Sequence, residues 1–160
     1  MSKNLEVYQL CLAEVYPFNE IELDFFKDKL DFKYVSANRY INWSYDLIKE
    51  YEPLWDWDVL DSNSSVFDKV TLGLLFPERV ALPQCTCFRM EDFCEYAECL
   101  VNIKRLSFNS SLYQQYGDIY IKLDMLCGTR LIDQEMLVEV LVNNQASTIE
   151  QLIAATFKKC

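Results

Sequence analysis

Two octets decide the fold of this chain: Asp31-Phe32-Lys33-Tyr34-Val35-Ser36-Ala37-Asn38 and Asp56-Trp57-Asp58-Val59-Leu60-Asp61-Ser62-Asn63. They share the form Asp-aromatic-x-x-aliphatic-x-x-Asn and stand 25 positions apart. Apolar positions upstream match at the same offset: Leu23 with Ile48, Phe26 with Tyr51, and Leu30 with Trp55. A fixed period with matching apolar slots predicts small stacked units. The leading Asp of each octet suits a helix N-cap, and the closing Asn tolerates a left-handed turn. Before the first octet, Asn19 with Glu22 three residues on forms a capping-box signal for a helix facing inward through Leu23, Phe26 and Leu30. Before the second, Ser44 caps a helix with Leu47, Ile48 and Tyr51 inward, and Pro53 forces the exit. Each unit therefore reads as a helix, a turn and a short second helix.

Outward from this pair the pattern weakens. Residues 1–18 read as one N-terminal helix with Leu5, Tyr8, Leu12 and Val15 on one face, capped by Ser2 and ended by Pro17. Residues 19–66 hold the two units. Residues 67–89 read as an insertion in which Val70-Thr71-Leu72 and Arg79-Val80-Ala81-Leu82 flank Phe76-Pro77-Glu78, a pattern compatible with one short β-hairpin. Residues 90–160 read as degenerate repeats and C-terminal helices. A third unit uses Phe93, Cys94, Val101 and Ile103 and ends at Asn109, and a fourth centres on Leu123 and Leu126. Asp133 then caps a helix with Met136, Leu137, Val140 and Leu141, and Thr148 caps the last helix, with Ile149, Leu152, Ile153 and Phe157. The expected fold class is all-α.

Composition narrows the function. The chain has 160 residues, is 51% hydrophobic and contains only 3 Gly and 4 Pro, which favours helices joined by brief linkers over a turn-rich β fold. Its net charge is −10, so direct binding to nucleic-acid phosphate or to an anionic membrane is disfavoured. The excess acid is concentrated in residues 1–70, and a basic protein surface is the natural complement. Seven cysteines cannot all pair within one chain. Met1-Ser2-Lys3-Asn4 runs into an amphipathic stretch rather than an apolar leader, and no apolar run approaches a membrane span. A reducing bacterial cytoplasm is the expected compartment.

The stretch Trp43-Ser44-Tyr45-Asp46-Leu47-Ile48-Lys49-Glu50-Tyr51, followed by Leu54-Trp55-Asp56-Trp57-Asp58-Val59-Leu60-Asp61-Ser62-Asn63, resembles a short tandem repeat of bacterial and phage proteins. Its consensus is W-S-x-x-L-I-x-x-Y, then W-D-W-x-x-L-S-x-N. The resemblance implies small α-helical units and a bacterial or mobile-element origin, and it implies no activity. Leu60-Asp61 departs from the usual Leu-Ser, and Phe32 replaces the second Trp in the first unit.

Catalytic equipment is scarce. There is no histidine, so the commonest general base and every Ser-His or Cys-His pair are absent. Gly73, Gly117 and Gly128 are isolated and form no phosphate loop. Cys85, Cys87, Cys94 and Cys99 supply enough thiolates for zinc, but they lack the paired C-x-x-C knuckle, so neither metal nor cofactor is expected and a zinc module is the lesser alternative. The leading expectation is a non-enzymatic acidic protein-binding module. Its partner would be a basic, nucleic-acid-binding protein, in a phage setting a defence nuclease or ribonucleoprotein such as a CRISPR effector, which would make this chain an anti-CRISPR inhibitor. Asp46, Glu50, Asp56, Asp58 and Asp61 are the expected contact acids, with Tyr45 and Tyr40 as aromatic anchors. A structural or homodimeric module is the alternative.

Overall fold

The chain opens with helix α1, Leu5–Val15, whose second half is almost entirely enclosed: Cys11, Leu12, Ala13 and Val15 are all buried. The computed structural model describes residues 4–67, 72–81 and 110–158. After α1 come α2 (Glu20–Phe26), α3 (Phe32–Ser36), α4 (Tyr45–Glu50), α5 (Trp57–Ser62), α6 (Ser64–Phe67) and α7 (Leu72–Leu75). Beyond residue 109 the chain forms α8 (Ser111–Gly128), α9 (Gln134–Leu137), a π-helical turn (Val138–Val142) and α10 (Ser147–Thr156). The fold is all-α, with no strand among the described residues. Helix α1 packs against α3 on one side, and against α8 and the π-turn elsewhere.

Local sequence explains the helix starts. Asn19 and Glu22 form a reciprocal capping box, and Ser44 accepts from the Leu47 N–H. Asp31 accepts from the Lys33 N–H and Asp56 from the Val59 N–H, so the acid heading each octet is a cap. The expected Ser2 cap lies outside the described residues, and Asn4 precedes α1 without a side-chain cap bond. Asp133 caps α9 through the Met136 N–H.

The closing asparagines correct the expectation of a left-handed turn. Among the described non-glycine residues only Arg130 and Asn144 have positive φ. Asn38 is instead fully buried and works through its amide. Its Nδ2 donates to the carbonyls of Ala13 (3.0 Å) and Tyr16 (2.8 Å), while its Oδ1 accepts from the N–H groups of Tyr40 (2.8 Å) and Ile41 (3.2 Å). Asn63 repeats the device: Nδ2 donates to the carbonyls of Ser36 and Asn38, both at 2.9 Å, and Oδ1 accepts from the Ser65 N–H. Each asparagine thus reaches the carbonyl 25 residues before it, Asn63 to Asn38 and Asn38 to Ala13. The Ser36 hydroxyl adds a second tie, donating to the Phe32 carbonyl and accepting from the Asp56 N–H.

The same period governs the turns. Lys29 N–H donates to the Phe26 carbonyl, Leu54 N–H to Tyr51 and Arg79 N–H to Phe76. Phe26, Tyr51 and Phe76 are all buried, as are Leu30, Trp55 and Val80. Ring contacts recur too: Phe32 lies 6.2 Å from Tyr51, and Trp57 lies 5.2 Å from Phe76. Leu72–Leu75 is helical and residues 77–79 form a turn, which corrects the short β-hairpin expected there. Gly73 stands in the Ile48 slot and Glu78 in the Pro53 slot, which hid this continuation from pattern reading. The three tryptophans pack inward and each indole N–H finds a carbonyl: Trp43 donates to Asn38, Trp55 to Ile48 and Trp57 to Glu52.

The C-terminal half follows another plan. Helix α8 is kinked at Tyr116 (φ −128°, ψ 34°), and Leu123 and Leu126 are buried on the stretch beyond the kink, which runs as one helix to Gly128, so the fourth unit expected around them is not a hairpin. The remaining unit expected at Phe93, Cys94, Val101, Ile103 and Asn109 lies outside the described residues, as do Val70, Thr71 and Leu82. Thr148 does not cap α10. Glu139 reaches across instead, its Oε1 accepting from the Ser147 hydroxyl (2.8 Å) and the Thr148 N–H (3.0 Å). Gln9 on α1 donates to the Val140 carbonyl (2.9 Å) and to Asn144 Oδ1 (3.0 Å), pinning the π-turn to α1.

Replacing Asn38 by Ala strands two carbonyls and two N–H groups in the interior. Urea unfolding of Asn38→Ala is expected to show a loss of about 3 kcal/mol, at the upper end for a buried network of this kind. A loss below about 1 kcal/mol would mean that the asparagine does not hold the units together.

Candidate interaction surface

The expected contact residues separate into three groups. Asp46 and Glu50 lie exposed on α4, one turn apart, and Asp58 lies exposed in the first turn of α5. None of the three makes an ion pair to another described residue, so their charges face solvent. Asp56 and Asp61 are only half-exposed. Asp56 is committed as the cap of α5 through Oδ1, and Asp61 is engaged within the structure. Both therefore carry a structural interaction that Asp46, Glu50 and Asp58 do not show with any described residue.

The two tyrosines also differ. Tyr45 is 44% exposed, and its ring stacks on Phe76 with centroids 5.5 Å apart. Phe76 also meets Trp57, and Lys49 lies 5.9 Å over its ring. Tyr45 is thus an outward ring on an aromatic base, the arrangement an anchor needs. Tyr40 is 46% exposed but belongs to another region, beside α8. Burial of its hydroxyl, with a hydrogen bond to Asp124, pushes its pKa up to about 12. The cations near the second unit are already occupied: Glu52 pairs with Lys49 (2.6 Å) and Arg79 (3.3 Å), and Arg79 covers the Trp57 ring at 5.7 Å.

Sequence reasoning missed two residues on the neighbouring helix. Ile21 is 80% exposed and Phe25 59%, the most exposed of the large apolar residues on α2. The Phe25 ring rests edge-on against Phe26, centroids 4.8 Å apart, which holds it outward. A signal existed: Ile21 and Phe25 are spaced i,i+4 but fall off the face defined by Leu23 and Phe26. By the 25-residue period Ile21 takes the slot of Asp46, and Phe25 that of Glu50. Tyr51, at the C-terminal end of α4, is 4% exposed, and its hydroxyl is enclosed without a hydrogen-bond partner among the described residues. Burial holds this phenol above its ordinary pKa, with help from the charges of Glu50 and Asp24, while Lys27 acts in the opposite sense.

The buried titratable groups serve the core. Glu14 on α1 is 5% exposed, and the Tyr120 hydroxyl of α8 donates to its Oε1 at 3.1 Å. Burial raises its pKa, opposed by hydrogen bonds from Ser110 and Tyr120 and by the charge of Arg39. Cys11 and Cys127 are buried free thiols, and burial pushes both up to about 12. A thiol so held is protonated at neutral pH and is a poor nucleophile or metal ligand. Among the described residues no group of three or more His, Cys, Asp or Glu is placed to hold a metal ion. Cys85, Cys87, Cys94 and Cys99, the alternative zinc set, lie outside the described residues. No described helix is long and apolar enough to cross a membrane.

Compared with known proteins, the chain matches no family model, no curated protein and no solved structure.

Two outcomes follow from the buried groups. Under native conditions at pH 8, iodoacetamide should leave Cys11 and Cys127 unmodified by peptide mass spectrometry, and unfolding should expose both; native alkylation of either would contradict its burial. Glu14 binds a proton more tightly in the folded than in the unfolded chain. Its contribution to stability is therefore present below its ordinary value of 4.5 and is lost as pH rises through the elevated native pKa. Glu14→Gln should remove that part of the decline, so thermal melts of the variant should fall less steeply with rising pH than those of the parent.

Proposed function

We propose that this chain is a non-enzymatic protein-binding module whose acidic outer surface docks on a basic partner. The observation that carries the reading is the division of labour within the repeats. Residues that recur at 25-residue spacing, such as Asn38 and Asn63, are consumed by capping and packing, whereas Asp46, Glu50 and Asp58 point outward with no ion pair to a described residue. A helical stack with exposed acids on its surface suits electrostatic steering followed by burial of an aromatic anchor, here Tyr45.

The concrete form of the proposal is inhibition of a nucleic-acid-binding defence nuclease, such as a CRISPR effector, by an anti-CRISPR protein acting in a bacterial host. The net charge of −10 supports it, because a basic nucleic-acid groove is the strongest complementary surface in such a cell. The resemblance to repeats of bacterial and phage proteins supports the same setting. Self-association is the second reading, favoured by Ile121 and Met125, which lie exposed one turn apart on α8. It would give a concentration-dependent mass in sedimentation that salt does not disperse.

The test is capture from bacterial lysate at low and moderate salt, followed by a nuclease assay of whatever is retained. A basic nuclease recovered at low salt, lost as salt rises and inhibited by the chain, is the expected result. Reversing Asp46, Glu50 and Asp58 to Lys should weaken that capture at least about tenfold and flatten its salt dependence. Unchanged affinity would remove the acidic surface from the mechanism.

A further inference from the structure

The face formed by α2 and α4 carries more than acid. Ile21 and Phe25 project one turn apart on α2, and Asp46 and Glu50 project from the equivalent positions of α4. Glu20 and Asp24 are exposed on α2 toward α4, with Asp24 paired to Lys27 at 2.8 Å. The enclosed Tyr51 hydroxyl, at the C-terminal end of α4 and within reach of the charges of Asp24 on α2 and Lys27 at its C-cap, has no hydrogen-bond partner among the described residues.

We propose that this α2–α4 face receives a cationic amphipathic helix of a partner protein, its apolar side chains against Ile21 and Phe25 and its Lys or Arg flank over Asp46 and Glu50. The spacing fits. Four residues of helix rise about 6 Å, so an apolar i,i+4 pair on the partner matches the Ile21–Phe25 pair. Packed helices lie about 9 Å apart, which places the partner's basic flank over α4 when its apolar stripe lies on α2. A long Lys or Arg side chain on the partner can lay its methylenes over Phe25 while its charged head reaches the exposed carboxylates. Other occupants fit less well. An anionic membrane or nucleic acid is repelled by the flanking carboxylates, and a second copy of this chain would oppose acid with acid.

The inference rests on the protein-binding reading above but does not require the partner to be a nuclease. The probe is a synthetic Leu/Lys amphipathic helix, with Glu-for-Lys and Ala-for-Leu versions as controls, titrated into the full chain and followed by fluorescence anisotropy. The parent should bind the Leu/Lys helix and neither control. Ile21→Ser with Phe25→Ser, and separately Asp46→Lys with Glu50→Lys, should each weaken binding about tenfold. Asp118→Lys with Glu135→Lys, exposed acids on α8 and α9, should change it less than about twofold. Equal losses in all three variants would overturn the proposal by reducing it to net charge, and so would an unaffected Ile21/Phe25 variant. Amide line broadening in the unaltered protein, expected over residues 20–28 and 44–52, tests the same face without any substitution; broadening confined elsewhere would overturn it. Peptide bound here with no captured nuclease would remove the inhibitor reading alone, whereas a captured nuclease indifferent to Ile21 and Phe25 would remove this face alone.

Discussion

Everything in the first half of the fold depends on a buried primary amide. Asn38 is wholly enclosed: its Nδ2 donates to the end of α1, and its Oδ1 accepts from the Tyr40 and Ile41 N–H groups of the turn that follows it. An amide in that position cannot turn to water, so it either finds backbone groups at a fixed distance or destabilises the interior. The segments it joins are the end of α1, the chain leaving α3 and, through its own carbonyl, Asn63 and Trp43. Helix ends leave carbonyls without partners, and these are the groups the asparagines satisfy. One device thereby fixes the spacing of successive units and completes their hydrogen bonding. The ladder begins at Ala13, which has a carbonyl to offer and no amide with which to reach further back.

Because the interior slots are filled by the repeat's own requirements, the outward slots are free to vary. Ile21 and Phe25 against Asp46 and Glu50 show the range: the same two positions are apolar in one unit and acidic in the next. Much of the aromatic content of the two central units is likewise internal. Phe32, Tyr51, Trp55 and Trp43 form a chain of tilted and edge-on rings with neighbouring centroids 5.1 to 6.2 Å apart, and each buried indole N–H is satisfied. The tryptophans that attract attention in the sequence are structural: each packs inward and donates its indole N–H to a carbonyl.

The second half is tied on by long-range side-chain bonds. Tyr120 to Glu14 joins α8 to α1, Gln9 to Val140 joins α1 to the π-turn, and Glu139 starts α10. The π-turn leaves its local carbonyls irregularly served, and Gln9 supplies a missing donor. Helix α1 is consequently both the first rung of the ladder and the platform for the C-terminal helices, which explains why its second half is buried all round.

The sequence by itself determined the helical class, the two central units and most of their caps. Those features rest on local physics: an Asp, Asn or Ser oxygen meets N–H groups two or three residues away whatever the rest of the chain does. It also marked Asp46, Glu50, Asp58 and Tyr45 as outward, since they fall off the apolar faces of short helices. Only the tertiary structure decided the rest. Asp56 and Asp61 look like the other acids in the sequence, but one caps α5 and the other has a partner of its own. Residues 72–80 looked unlike a repeat because Gly73 and Glu78 replace apolar and proline positions, yet Phe76 and Val80 suffice to hold the same turn once Trp57 and Tyr45 cover them. The asparagines were legible as turn residues and not as ladder rungs, because their partners lie 25 residues away. A contact of that range has no local signature: it exists only when stacking brings two helix ends to hydrogen-bond distance.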